Sequence, residues 1–179
     1  MLIKKILCPI DLSEDAKSGM AYAVSLAREH QAELVFFHVT RLPTWALAYQ
    51  CEPNPFERRH PAPKFTIDDL FSTAAGRVQN LVHDNFGAAV FGLPWKVTVS
   101  LGNIPGEIVA AAVGEKADLI VMAKRKRGVL VRLFTRSVSE AVSELAPCPV
   151  LSLCPPQITQ QPLSGSGRGV LGVLRGSEA

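Results

Sequence analysis

The sequence predicts an α/β protein built on a parallel, doubly wound sheet of five strands with helices on both faces. Three observations lead there. Stretches of strand character alternate with stretches of helical periodicity in the order βα, βα, βα, βα, β. Two strand segments, AELVFFHV (32–39) and ADLIVMA (117–123), are apolar at nearly every position, as strands buried on both faces are. A chain of 179 residues is also one domain's worth, long enough for a real core. No internal repeat is present, so the unit occurs once.

The first strand, IKKILCP (3–9), breaks at Pro9 and leads to Asp11. Met20, Ala23, Val24 and Ala27 then recur at helical spacing over Ser13 to His30. Ser13 is the expected N-cap, with Glu14 and Asp15 in the first turn, where the helix dipole favours acids. After the second strand the pattern stops. Residues 41–65 hold five prolines and no steady period, which reads as a long loop, lid or insertion. Helix resumes at Thr66, where Thr66 and Asp69 form a capping box with Asp in place of Glu, and it is expected to run to about Asn85, before Gly87. WKVTVSLG (95–102) alternates like a strand, IPGEIVAAAVGEK (104–116) reads as helix, and 117–123 is the fourth strand. A basic loop follows. Ser137 and Glu140 form a capping box for a helix to Leu145, and APCPVLSL (146–153) is the last strand. From Pro155 the composition turns to Pro, Gly, Ser and Gln, so residues 1–154 are read as the domain and 155–179 as a flexible tail.

Composition excludes several classes. A net charge of +3, 47% hydrophobic and 20% charged residues describe an ordinary globular protein. The start lacks a signal-peptide pattern, and no stretch approaches the roughly 20 apolar residues of a membrane helix. The four cysteines (8, 51, 148, 154) have neither C-x-x-C spacing nor disulfide-scaffold density, so a reducing cytoplasm is expected.

KKILCPIDLSEDAKSGMAYAVSLA resembles the opening of universal stress proteins, whose first strand ends in Pro-x-Asp-x-Ser. AELVFFHV and ADLIVMA look like that family's second and fourth strands, and RSVSEAVSELAPCPVLSL like its closing segment. The likeness covers roughly residues 2–154. It implies a nucleotide-binding-like sheet of order 3-2-1-4-5, and a homodimer paired through the last strand, 149–154 here. It also implies two groups of members. One binds ATP or AMP, with adenine and ribose near the first-strand Asp; the other lacks the phosphate glycines.

Ligands of doubly wound sheets sit beyond the strands' carboxyl ends, and Asp11, Val39 and the loop after Ala123 lie there. Carried over by the resemblance, the nucleotide positions are Pro9, Ile10, Asp11, Val39, Met122, Ala123, Lys126, Arg136, Ser137 and Val138. The family's phosphate loop reads Gly, two residues, Gly, nine residues, Gly, then Ser or Thr. Its three glycine positions fall on Ala123, Lys126 and Arg136, and only Ser137 survives. Glycine serves there because it takes positive φ and lets bare N–H groups approach phosphate. Gly128 offers a shifted loop only through a different turn.

What replaces the glycines is basic. Lys124, Arg125, Lys126, Arg127, Arg132 and Arg136 place six cations within thirteen residues, with no acid among them. Such a run is read either as a solvated loop or, beside the N-terminus opened by Ser137, as an anion site made by side chains. Nucleic acid is not the expected partner, because only Phe134 interleaves with the charges. Asp11 either accepts from a ligand or caps the following helix.

His38, in the second strand, has no Cys or His at ligand spacing and is read as a satisfied core or strand-end histidine, so no metal is expected. Cys8 and Cys148 read as small hydrophobes in strands, and Cys154 as a residue near the dimer partner. No Ser–His or Cys–His pairing, Gly-x-Ser-x-Gly elbow or Ser-Gly-Gly-x-Asp loop is present, so no catalytic residue is assigned. The expectation is a dimeric, non-enzymatic stress-response binding or regulatory module with weak or no ATP binding and no resident cofactor. The alternatives are an ATP- or AMP-binding member with slow hydrolysis, or an anion- or nucleic-acid-binding module using the basic loop 124–136.

Overall fold

The computed structural model describes residues 2–41, 66–124 and 137–154. Five parallel strands form one sheet: β1 (Lys5–Pro9), β2 (Glu33–Thr40), β3 (Trp95–Leu101), β4 (Leu119–Ala123) and β5 (Val150–Leu153). Their order is β3-β2-β1-β4-β5, as the resemblance implies. Four helices connect them: α1 (Ala16–His30), α2 (Ile67–Val90), α3 (Ile104–Glu115) and α4 (Val138–Leu145).

Strand periodicity divides the core in two. Ile6, Cys8, Leu34, Phe36 and Val121 point to one face, where Met20, Ala23 and Val24 of α1 and Val78 and Val82 of α2 cover them. Leu7, Val35, Phe37, Ile120 and Met122 point to the other, under Ile108 and Ala112 of α3 and Val142 of α4. The central strands are buried on both sides, which is why their sequences carry no polar alternation. Phe36 also meets Trp95 edge-on, with ring centroids 5.8 Å apart, binding the outer strand β3 to the core.

Helix ends follow local chemistry, with two departures from the sequence reading. Both expected capping boxes form, Thr66 with Asp69 and Ser137 with Glu140. Asn103 caps α3, accepting from Gly106 N–H at 3.2 Å. Ser13, however, is not the N-cap of α1. Its hydroxyl and N–H both donate to Asp11 Oδ1, and the helix begins later, after Asp15, whose side chain makes no cap bond. Nor does α2 stop before Gly87; it continues to Val90. Val82 and Val90 are buried and Phe86 and Ala89 pack on the same core. Anchors on both sides of Gly87, each contributing about 1–2 kcal/mol, outweigh a glycine penalty of about 1 kcal/mol. Cys148, expected within a strand, lies just before β5 and packs on the second core cluster.

Candidate functional site

The chain leaves β1 through Pro9, yet the ladder continues one step, with Ile10 N–H donating to Phe37 O at 2.8 Å. Asp11 then turns the backbone. Its carboxylate accepts the N–H of Ser13, two residues on, while Leu12 between them takes a left-handed φ of 59°. Leu12 packs against the first core cluster, which holds a conformation usually left to glycine. The turn delivers Asp15 and Ala16 to the rim of a cleft of about 480 Å³.

That cleft opens beyond the carboxyl ends of β1, β2 and β4, where the order of the sheet reverses. Pro9, Ile10 and Asp11 line it from β1, Val39 from β2, Met122 and Ala123 from β4, and Ser137 and Val138 from the start of α4. The structure thus brings eight of the ten carried-over nucleotide positions around one space. Lys126 and Arg136 lie outside the described residues, as do Arg125, Arg127 and Arg132 of the basic run. Ile104 and Ile108 of α3 supply an apolar wall that the sequence reading did not assign, and Ser13, His38, Thr40, Arg41 and Ser139 are further lining residues it missed.

At the start of α4 the backbone is already engaged. Ser137 Oγ accepts from Glu140 N–H at 3.1 Å, and Ser137 N–H donates to Glu140 Oε2 at 3.2 Å. Ser139, a buried polar residue, pairs its hydroxyl with that of Ser137 at 3.1 Å. Glu140's other oxygen lies 3.7 Å from Lys124 Nζ, so the first cation of the basic run pairs with the capping carboxylate. Lys124 is itself held by its N–H, which donates to Leu153 O at 2.7 Å. A carboxylate of the chain therefore stands at the helix end that the sequence reading offered to an external anion.

His38 is fixed differently. Its Nδ1 lies 2.7 Å from the carbonyl oxygen of Ile10, linking the ends of β1 and β2 across the cleft floor. Sequence reasoning placed this residue in the second strand, in the core or at the strand end, but had no signal for the contact, which is tertiary. Among the described residues, no three His, Cys, Asp or Glu side chains converge as metal ligands, and no helix is long and apolar enough to cross a membrane.

Comparison with known proteins agrees with this geometry. The family model described as Universal stress protein family matches residues 2–153. A Thermus aquaticus universal stress protein, from the QAH/OAS sulfhydrylase 3′ region, is 34% identical over 153 residues, spanning 84% of this chain and 98% of its own. Bacillus subtilis YxiE, another universal stress protein, is 29% identical over 154 residues, 84% of this chain and 98% of the relative. Among solved structures, Lactobacillus plantarum UspA superposes with a TM-score of 0.61 at 22% identity, covering 86% of this chain and 99% of that one. A universal stress protein in complex with cAMP gives a TM-score of 0.55 at 18% identity, over 86% and 98% of the two chains. By sequence pattern, sheet order and family match together, this chain belongs to the universal stress protein family.

Proposed function

We propose that this universal stress protein is a stress-response regulatory or binding module that works by occupancy of the cleft and not by turnover, with weak or no ATP binding through a phosphate loop. One observation carries the reading. At the β4 end of the cleft stands Ala123, where nucleotide-binding members place their first glycine, and at the α4 N-terminus Glu140 already takes the N–H of Ser137. A side chain and a carboxylate thus replace bare backbone where a phosphate needs donors. Calorimetry with Mg-ATP near physiological ionic strength tests this. No tight binding is expected, and affinity in the micromolar range or better would overturn it.

The second reading, an ATP- or AMP-binding member with slow hydrolysis, draws support from the intact adenine side of the cleft, Asp11 and Val39, and from the related protein solved with cAMP. The same calorimetry separates the two.

We further propose a cytoplasmic homodimer paired through residues 149–154. The strand β5 stands at the sheet edge with Val150, Leu151 and Leu153 only partly covered, a face suited to a second copy. In this reading residues 1–154 form the domain and 155–179 a tail that dimerisation does not require. Light scattering on the full chain and on a 1–154 truncation should give a dimer for both; a monomeric full chain would end this part of the proposal.

A further inference from the structure

We propose that the outer edge of β3 is a second self-association surface, on which β3 of another copy of this chain pairs antiparallel about a two-fold axis at Thr98.

Ladder parity leaves this edge open. β3 is the outermost strand on its side of the sheet, and it pairs with β2 in continuous register from Trp95 to Leu101. Just outside its two ends, Pro94 O accepts from Leu34 N–H at 2.9 Å, and Gly102 N–H donates to Thr40 O at 3.4 Å. In a parallel ladder, alternate residues of a strand bond to the same neighbour. Pro94, Lys96, Thr98, Ser100 and Gly102 therefore face β2, and the N–H and C=O groups of Trp95, Val97, Val99 and Leu101 point away from the sheet. No further strand meets them among the described residues. The usual guards of a free edge are missing. No proline or bulge interrupts Trp95–Leu101, and its one charge, Lys96, is bound to Glu115 and Glu33 of its own chain.

A second copy fits this edge best in one register. Antiparallel pairing joins outward-facing residues to outward-facing residues, two hydrogen bonds to a pair. Setting Thr98 opposite Thr98 of the second copy uses the whole strand, because Trp95 then meets Leu101 and Val97 meets Val99. Any shift leaves an end unpaired. The pairs on that face are all apolar, of the aromatic and β-branched kind that stabilise sheets. On the other face Lys96 stands opposite Ser100 of the second copy, whose hydroxyl donates to the Glu107 carboxylate. No like charges meet, and each lysine faces the neighbourhood of an acid. This self-complementarity of charge and parity selects another copy of the chain as the occupant. A single strand pair is a small interface, so it is open in dilute protein and fills as concentration rises. The pairing through 149–154 lies on the opposite edge of the sheet and does not depend on it.

Amide hydrogen exchange on the full chain, over a wide range of protein concentration, tests the edge directly. The N–H groups of Val97, Val99 and Leu101 should exchange freely in dilute protein and gain protection as concentration rises. Those of Thr98 and Ser100, bonded to β2, should stay protected throughout. Protection that ignores concentration would mean that the chain covers its own edge, and no protection at any concentration that the edge stays bare; either overturns the proposal. Crosslinking tests the register. Opposed residues of a non-hydrogen-bonded antiparallel pair have Cα atoms about 4.5 Å apart, within disulfide reach. With glutathione disulfide as oxidant, Thr98→Cys should give a covalent dimer whose bridge, by peptide mapping, joins the two introduced thiols. Val99→Cys, whose thiol would face Val97 of the second copy, should not. Bridging in neither variant, or in both, would overturn the pairing. Thr98→Lys sets two ammonium groups opposite each other and should weaken the association about fivefold, with recovery in high salt. Unchanged association by this variant would overturn the two-fold at Thr98.

Discussion

Gly19 of α1 lies against the backbone of Ala123 at the end of β4: a Cβ at position 19 would stand 2.8 Å from the Ala123 nitrogen and 3.3 Å from its Cβ. The helix is therefore seated on the strand that forms one wall of the cleft. Gly19→Ala sets two effects in opposition. Helix propensity gains about 1 kcal/mol, while forcing a methyl into a packed backbone contact costs about 1–3 kcal/mol. The contact is with backbone and cannot swing aside, so net destabilisation is expected in urea unfolding. Adding Ala123→Gly removes the contact with the Ala123 Cβ but leaves those with the Ala123 nitrogen and, at 3.3 Å, the Met122 carbonyl carbon. The double variant should stay less stable than Ala123→Gly alone, and equal stability would place α1 further from β4 than the structure has it.

Restoring glycine at the strand end alone should not restore nucleotide affinity. Ala123→Gly frees one backbone position, but Lys126 and Arg136 still occupy the other two glycine sites of the motif. Mg-ATP binding by Ala123→Gly should stay undetectable by calorimetry. The variant that also carries Lys126→Gly, Arg136→Gly and Glu140→Ala, freeing the α4 N-terminus as well as the loop, should bind measurably. Binding by the single variant would show that position 123 by itself governs the loop.

The sheet was legible because its central strands are long apolar runs whose burial needs no partner-specific information. Both capping boxes were equally plain, since Thr66–Asp69 and Ser137–Glu140 are local patterns. What escaped was competition. Ser13 has the right chemistry for an N-cap, but Asp11 takes its hydroxyl and N–H first, and nothing in the spacing ranks the two. Gly87 looked like a terminator because its penalty is local, whereas the anchors that overrule it, Val82 and Val90, gain their weight only from the packed core. The eight cleft positions were reachable by resemblance, but His38 was not reachable as a cleft residue. Its defining contact joins β2 to the residue just beyond β1, 28 positions away in sequence.

Thiol reactivity should follow burial. Cys8 is enclosed within β1, and burial pushes its thiol up to about 12, far from the thiolate that alkylates. Cys148 is half-buried, with its thiol raised first by burial and second by the charge of Asp118. Cys154 is exposed. Among the three described cysteines, peptide mapping after brief iodoacetamide treatment of the native protein should find Cys154 modified first, Cys148 more slowly, and Cys8 only after denaturation. Early modification of Cys8 would mean that β1 opens locally under native conditions.

The amino ends of the strands carry a ring of alternating charge whose pH dependence has a definite sign. Lys5 Nζ lies 3.0 Å from Glu33 Oε2 and 3.3 Å from Glu115 Oε2, and Lys96 Nζ lies 2.7 Å from Glu115 Oε2 and 3.6 Å from Glu33 Oε1. The hydrogen bond from Lys96 is the main cause that holds the Glu115 carboxyl below its ordinary value, while partial burial opposes it. Lys5 is raised above its ordinary value, foremost by its bond to Glu33. A depressed carboxyl stabilises the fold above its unfolded pKa, and that contribution fades as pH falls through the folded value. A raised ammonium stabilises below its unfolded pKa and loses that contribution as pH rises through the folded value. The ring thus acts in full between the ordinary carboxylate and lysine ranges and weakens on both flanks. Solvent reaches all four groups, so its worth is modest, and Glu115→Gln should cost about 0.5–1 kcal/mol near neutrality. In urea unfolding the gap between the two proteins should shrink as pH falls below the ordinary carboxylate range and through the lowered value of Glu115. A gap that persists undiminished in acid would assign the cost to packing at position 115 and not to the ion pairs.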